Sequence, residues 1–175
     1  MKHFSINQFS CQYWCGMPNV VKENLEALVV NILDPVYEKF SKLLGFDELP
    51  EERRKSPIKI NAGYICRKHL AELGLSNRLQ FDKGEAADIS AESMYYQNMK
   101  EWREANRLLA GLVVKNGKFD TICLMNVDEN KLNPLWLHVT HSRLMNRGKV
   151  MKKIQGQKDF VDLTMEEIEL LVVSD

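Results

Sequence analysis

The sequence predicts an α+β domain in which a small antiparallel sheet packs against helices. Apolar residues recur at helical spacing over two long stretches, Val21 to Leu44 and Tyr96 to Leu109. Between and after them lie short β-type runs that are not adjacent in sequence: Ile58–Ala62, Ala86–Ile89, Lys118–Asn126 and Pro134–Ser142. A chain of 175 residues with 45% hydrophobic content is sized for one domain and can build a core.

Taken in order, the first helix is expected from Val20 to Leu44, with Val21, Leu25, Leu28, Val29, Ile32, Leu33, Val36, Phe40, Leu43 and Leu44 on its apolar positions. Pro18 and Asn19 mark its start and Gly45 its stop, and Pro35 implies a kink or break. Residues 46–57 are polar, charged and bounded by prolines, so they read as a surface loop or insertion. A strand over Ile58–Ala62 and a short helix from Arg67 to Leu75 follow. Ala86–Ile89 reads as a buried strand, and Ser93 to Gly111 as a helix with Ser93 as N-cap and Gly111 as terminator. Lys118–Asn126 and Pro134–Ser142 are two strands separated by a polar segment. The end carries a short helix, with Thr164 and Glu167 at capping-box spacing. This divides the chain into a domain over 1–156 and an amphipathic tail over 157–175, which could pack on its own domain or dock on a partner.

Lys+Arg and Asp+Glu balance at 24 each, so whole-chain charge points neither to nucleic acid nor to a membrane surface. No apolar run approaches the roughly 20 residues that span a bilayer, and the first ten residues alternate apolar with polar, unlike a signal peptide. The expected location is a cytoplasm, or release from one by lysis. Cys11 and Cys15 are four apart while Cys66 and Cys123 stand alone, which favours small buried thiols over a zinc site. No phosphate-binding glycine loop and no serine-nucleophile motif occurs. The run His141 to Lys153 is basic and reads as a solvated edge, as does the mixed-charge run Glu51 to Lys55.

Two blocks carry the chemical signal: Gly84-Glu85-Ala86-Ala87-Asp88-Ile89 and Trp136-Leu137-His138-Val139. Together with Phe4-Ser5 and Phe9, Asn24 to Ala27, Leu33-Asp34-Pro35, Ala62-Gly63-Tyr64, Phe119-Asp120 and Asn146-Arg147-Gly148, their order and spacing resemble the M15 peptidases. These are the D-alanyl-D-alanine carboxypeptidases and phage endolysins, here in their short single-domain branch. The resemblance covers roughly Phe4 to Gly156 and implies an M15/hedgehog-like peptidase fold.

In that family a zinc ion is held by His, Asp and His, and a carboxylate acts as base. Three protein ligands leave a position for a water whose pKa the metal lowers to about 7. The resemblance places the Asp ligand on Asp88 and the second His on His138. The first His position holds Phe81, the base position Leu135, the substrate Arg position Ile65, and an acidic position on the strand after Phe119-Asp120 holds Met125. Two ligands make a poor zinc site, so no cofactor is expected, and apolar replacements suggest a filled cleft. If a metal did bind, His69 would be the best additional ligand beside Asp88 and His138. His141, His3 and Asp82 are weaker candidates, because positions i and i+3 on a strand face opposite sides and Asp82 is a sequence neighbour of Phe81.

The resemblance thus implies a catalytically inactive relative reused as a structural or adaptor component, most plausibly of a tailed-phage virion in its neck, tail or baseplate. Its partners would be other protein chains of an oligomeric assembly, without a small-molecule substrate, membrane or nucleic acid. The alternative is an active zinc D,D-peptidase or endolysin with a rearranged site. A third expectation is a module that binds cell-wall peptides without cutting them.

Overall fold

The computed structural model describes residues 1–11, 15–50, 55–74, 80–128 and 131–172. Its elements in chain order are α1 (Asn19–Leu28), a wide helical turn (Val29–Leu33), α2 (Asp34–Leu43), β1 (Ile58–Ala62), α3 (Arg67–Glu72), β2 (Ala86–Ala91), α4 (Met99–Asn116), β3 (Thr121–Val127), β4 (Trp136–Thr140), β5 (Lys149–Ile154), β6 (Val161–Asp162) and α5 (Met165–Leu171). Single turns of 3₁₀ helix precede or link several of them. The protein is a mixed α+β structure around one six-stranded sheet of order β1-β2-β4-β3-β5-β6. All neighbours are antiparallel except β3 and β5, which run parallel.

The break expected at Pro35 is real and local. Proline has no N–H to continue the helical ladder, and it stands at the start of α2, directly after the wide turn. Within that turn Asn31 donates from Nδ2 to the Ala27 carbonyl at 2.8 Å. Gly45 closes α2 in the left-handed region at φ 60°. Leu25, Leu28, Ile32, Leu33, Val36 and Phe40 from these helices are fully buried.

The strands obey a period of two. Ala87, Ile89 and Ala91 of β2, Ile122 and Leu124 of β3, and Leu137 and Val139 of β4 join the helices in one core, with Leu109 and Val113 of α4. The alternate residues, Asp88, Cys123 and His138, project from the opposite face of the sheet. A one-residue register slip would exchange these two sets, so burial of the apolar set fixes the polar one.

Three expectations are corrected. The helix placed at Ser93–Gly111 runs Met99–Asn116; Asn98 is its N-cap, accepting from Glu101 N at 3.0 Å, and Ser93 begins a separate 3₁₀ turn. Gly111 lies inside α4, where a Cβ would meet the Leu171 carbonyl at 2.1 Å; the glycine admits α5, it does not end α4. Of the basic run expected as a solvated edge, residues 143–148 are exposed as expected, whereas Lys149–Ile154 form β5, with Val150 buried, Lys149 paired to Asp162 at 2.9 Å and Lys152 paired to Glu167. The sheet is therefore larger than expected.

The tail residues supply β6 and α5, and Leu171 is buried in the common core. The capping box of Thr164 and Glu167 is formed. In the expected loop over 46–57, Phe46 is buried and packs edge-on against Tyr95 at 5.7 Å. The charged residues Glu51 to Arg54, the expected continuation of α3 to Leu75, Leu79 and the last residues from Val173 lie outside the described residues. Among the described residues, no helix is long and apolar enough to cross a membrane.

Candidate functional site

Asp88 and His138 stand directly opposite one another on β2 and β4, and Cys123 stands opposite His138 on β3. Cross-strand partners share a face, so the register alone aligns carboxylate, imidazole and thiol in one row. His138 Nδ1 and Asp88 Oδ1 are 2.7 Å apart, and both side chains are largely but not fully covered. Two donors on one tetrahedral zinc stand about 3.3 Å apart, given metal–ligand distances near 2.0–2.1 Å. At 2.7 Å the two groups are hydrogen-bonded to each other.

Phe81 covers the imidazole. It belongs to the turn Phe81–Lys83, is buried, and meets the His138 ring edge-on with centroids 5.1 Å apart. The turn is held by two left-handed residues, Gln80 and Gly84. Gly84 is required at its position: its φ is 70°, and a Cβ there would lie 2.4 Å from the Val21 carbonyl. This packs the Phe81 turn against α1 and aims residue 81 at the row.

The remaining positions singled out in the sequence are spread around this row. Met125 lies on β3 opposite Trp136, and its carbonyl accepts from Leu135 N at 2.9 Å; both Met125 and Leu135 are half-buried. Ile65 lines a surface cavity of about 430 Å³ with Asn61, Tyr64 and His69, but that cavity touches neither Asp88 nor His138. Among the described residues, no third His, Cys, Asp or Glu donor comes within 4.8 Å of both Asp88 and His138.

The candidate rescuing residues are engaged elsewhere. His141 is buried on the helix side, where Asn31 Nδ2 donates to its Nε2 at 3.3 Å, and burial pushes its pKa down. His3 stacks on Tyr37 at 4.0 Å. Asp82 is paired with Arg67 at 3.3 Å. His69 Nδ1 lies 3.4 Å from Cys11 Sγ. The residues present at Asp88 and His138 therefore do not fit a catalytic zinc ion.

The row of Asp88, His138 and Cys123 invites comparison with a thiol protease triad, and its electrostatics argue against one. A nucleophilic cysteine needs a depressed pKa. Desolvation by burial pushes the Cys123 thiol up to about 12, although the Lys153 ammonium partly offsets this. Its sulfur points to the Leu124 carbonyl at 3.9 Å. What the site holds is a hydrogen-bonded carboxylate–imidazole pair on the sheet face.

A second constellation escaped sequence reasoning. Cys66, expected to be isolated, lies with Cys11 and Cys15, and Cys15 and Cys66 stand at disulfide distance. The signal present in the sequence is Cys66-x2-His69, a spacing that puts two donors one helical turn apart. No family model matches the chain, and no curated protein is significantly similar to it.

Proposed function

We propose that this chain is an M15 peptidase-like domain that has kept the framework of its active site and lost the chemistry. It serves as a structural or adaptor component of a protein assembly. The observation that carries this reading is the placement of Phe81. At the position of a metal-binding histidine stands a buried aromatic ring, packed against His138, while Asp88 and His138 satisfy each other. The position of the general base is Leu135, so no carboxylate is supplied to take a proton from an attacking water.

A protein-partner role is supported by exposed apolar side chains at Leu144 and Met145 in the loop after β4, where arginines flank them. Exposed apolar residues beside cations suit a protein surface better than a small substrate. The resemblance directs the search for a partner to tailed-phage virions and to the neck, tail or baseplate within them.

The test is digestion of purified peptidoglycan fragments by the zinc-supplemented full chain, followed by mass spectrometry of the peptides. The expected result is no cleavage above a no-protein control. Cleavage that disappears in His138→Ala would establish an active peptidase and overturn the proposal.

A further inference from the structure

The sulfurs of Cys11, Cys15 and Cys66 converge on one point away from the Asp88–His138 row, and His69 adjoins Cys11. The three sulfurs lie within 4.8 Å of one another. Cys11 Sγ is 3.9 Å from Cys66 Sγ and 3.4 Å from His69 Nδ1. With Zn–S near 2.3 Å and Zn–N near 2.0–2.1 Å, the edges of a tetrahedral site are about 3.8 Å between sulfurs and about 3.5 Å from sulfur to nitrogen. The Cys11–Cys66 and Cys11–His69 edges match those lengths.

The sequence supplies the donors in two short units, Cys11-x3-Cys15 and Cys66-x2-His69. In the second unit Cys66 is the N-cap of α3 and His69 its third residue, so the two side chains share a face one turn apart. The units are held together independently of the sulfurs. Tyr64 N donates to the Phe9 carbonyl at 2.8 Å, and Gly63 packs so closely that a Cβ would lie 2.6 Å from Phe9 Cβ. Cys11, Cys66 and His69 are buried. The three sulfurs are thus brought together by the fold before any ligand binds, with His69 beside Cys11.

We propose that these four residues form a closed Cys3His site for a structural zinc ion. Three thiolates and one imidazole complete the coordination and leave no position for a catalytic water. Cys15 and Cys66 must separate to admit the ion, and the His69 ring must turn from Cys11 toward the other sulfurs. Cys15 is only half-buried and next to it Gly16 has open space around its Cβ direction, so the outward shift falls on Cys15. The ion would pin the N-terminal segment to α3, much as a disulfide would, but in a reducing compartment where a disulfide does not persist. The inference does not rest on the functional reading above.

The experiment uses the full chain purified under reducing conditions without chelator, with metal content measured by plasma mass spectrometry after supplementation with zinc. One zinc per chain is expected, falling at least tenfold in Cys11→Ser and His69→Ala and unchanged in Cys123→Ser. Because the ligand variants could misfold, the wild-type protein is also treated with a thiol-alkylating reagent. Three cysteines should be protected until EDTA is added, and cobalt substitution should give thiolate-to-metal charge-transfer bands. Reduced, folded protein that takes up no zinc, or that keeps a Cys15–Cys66 disulfide in place of the ion, overturns the proposal. Zinc lost in His138→Ala but retained in Cys11→Ser overturns it too, and in that case the functional reading fails with it.

Discussion

A carboxylate and an imidazole facing each other across two strands can share a proton or share a metal. The choice is made by what else reaches them, and here Phe81 reaches His138 while, among the described residues, no third donor does. The neighbouring Asp120 shows a different use of a buried carboxylate. Arg147 binds it through Nε at 2.8 Å, Nη2 at 2.7 Å and its own backbone N at 3.1 Å, and this lowers the Asp120 pKa. Asp120→Asn keeps the shape and removes the charge, and it is expected to cost about 1.5–3 kcal/mol in denaturant unfolding at pH 7. A depressed carboxylate pKa stabilises above its unfolded value, near 3.9, and the benefit fades as pH falls through the lower folded value. The gap between wild type and Asp120→Asn should therefore stay constant above about pH 5 and close below about pH 4.

At the scale of elements, α4 is the strut that positions the strands. Asn106, fully buried, accepts from Ala91 N at 2.7 Å and donates to the Leu135 carbonyl at 2.9 Å, and Trp102 Nε1 donates to the Ala91 carbonyl at 2.8 Å. Asn106→Leu retains volume but strands a buried N–H and a carbonyl; a loss of at least about 2 kcal/mol in unfolding free energy is expected. Gly111→Ala distinguishes propensity from packing. Alanine favours a helix interior over glycine by about 1 kcal/mol, yet its Cβ would meet the Leu171 carbonyl at 2.1 Å. The clash should win: hydrogen exchange should show lost amide protection in α5 and retained protection in α4, with net destabilisation. Gly111 resembles a helix stop locally because a glycine after an apolar run is a common terminator; only the tertiary approach of α5 reveals its other role. The strand β5 is hidden for a similar reason: Lys149, Lys152 and Lys153 obscure its alternation, and their partners in the tail, Asp162, Glu167 and the Phe160 ring, are distant in sequence.

For the molecule as a whole, the α+β class, the helix break at Pro35 and the strands bearing Asp88 and His138 were legible, because apolar periodicity and proline act locally. The contact between Asp88 and His138 was legible only through resemblance, since 50 residues separate them. The sulfur cluster was not legible, because its two halves lie 51 residues apart and meet only through the seam of Phe9 on Gly63. A metal has two places to go, the sulfur cluster and the row on the sheet face, and the row is proposed to take none. The most direct test is the zinc content of His138→Ala compared with wild type, both purified folded and reduced and supplemented equally. Equal content in the two proteins is the outcome expected here; loss of bound zinc in the variant would show a metal at Asp88 and His138 and contradict the account.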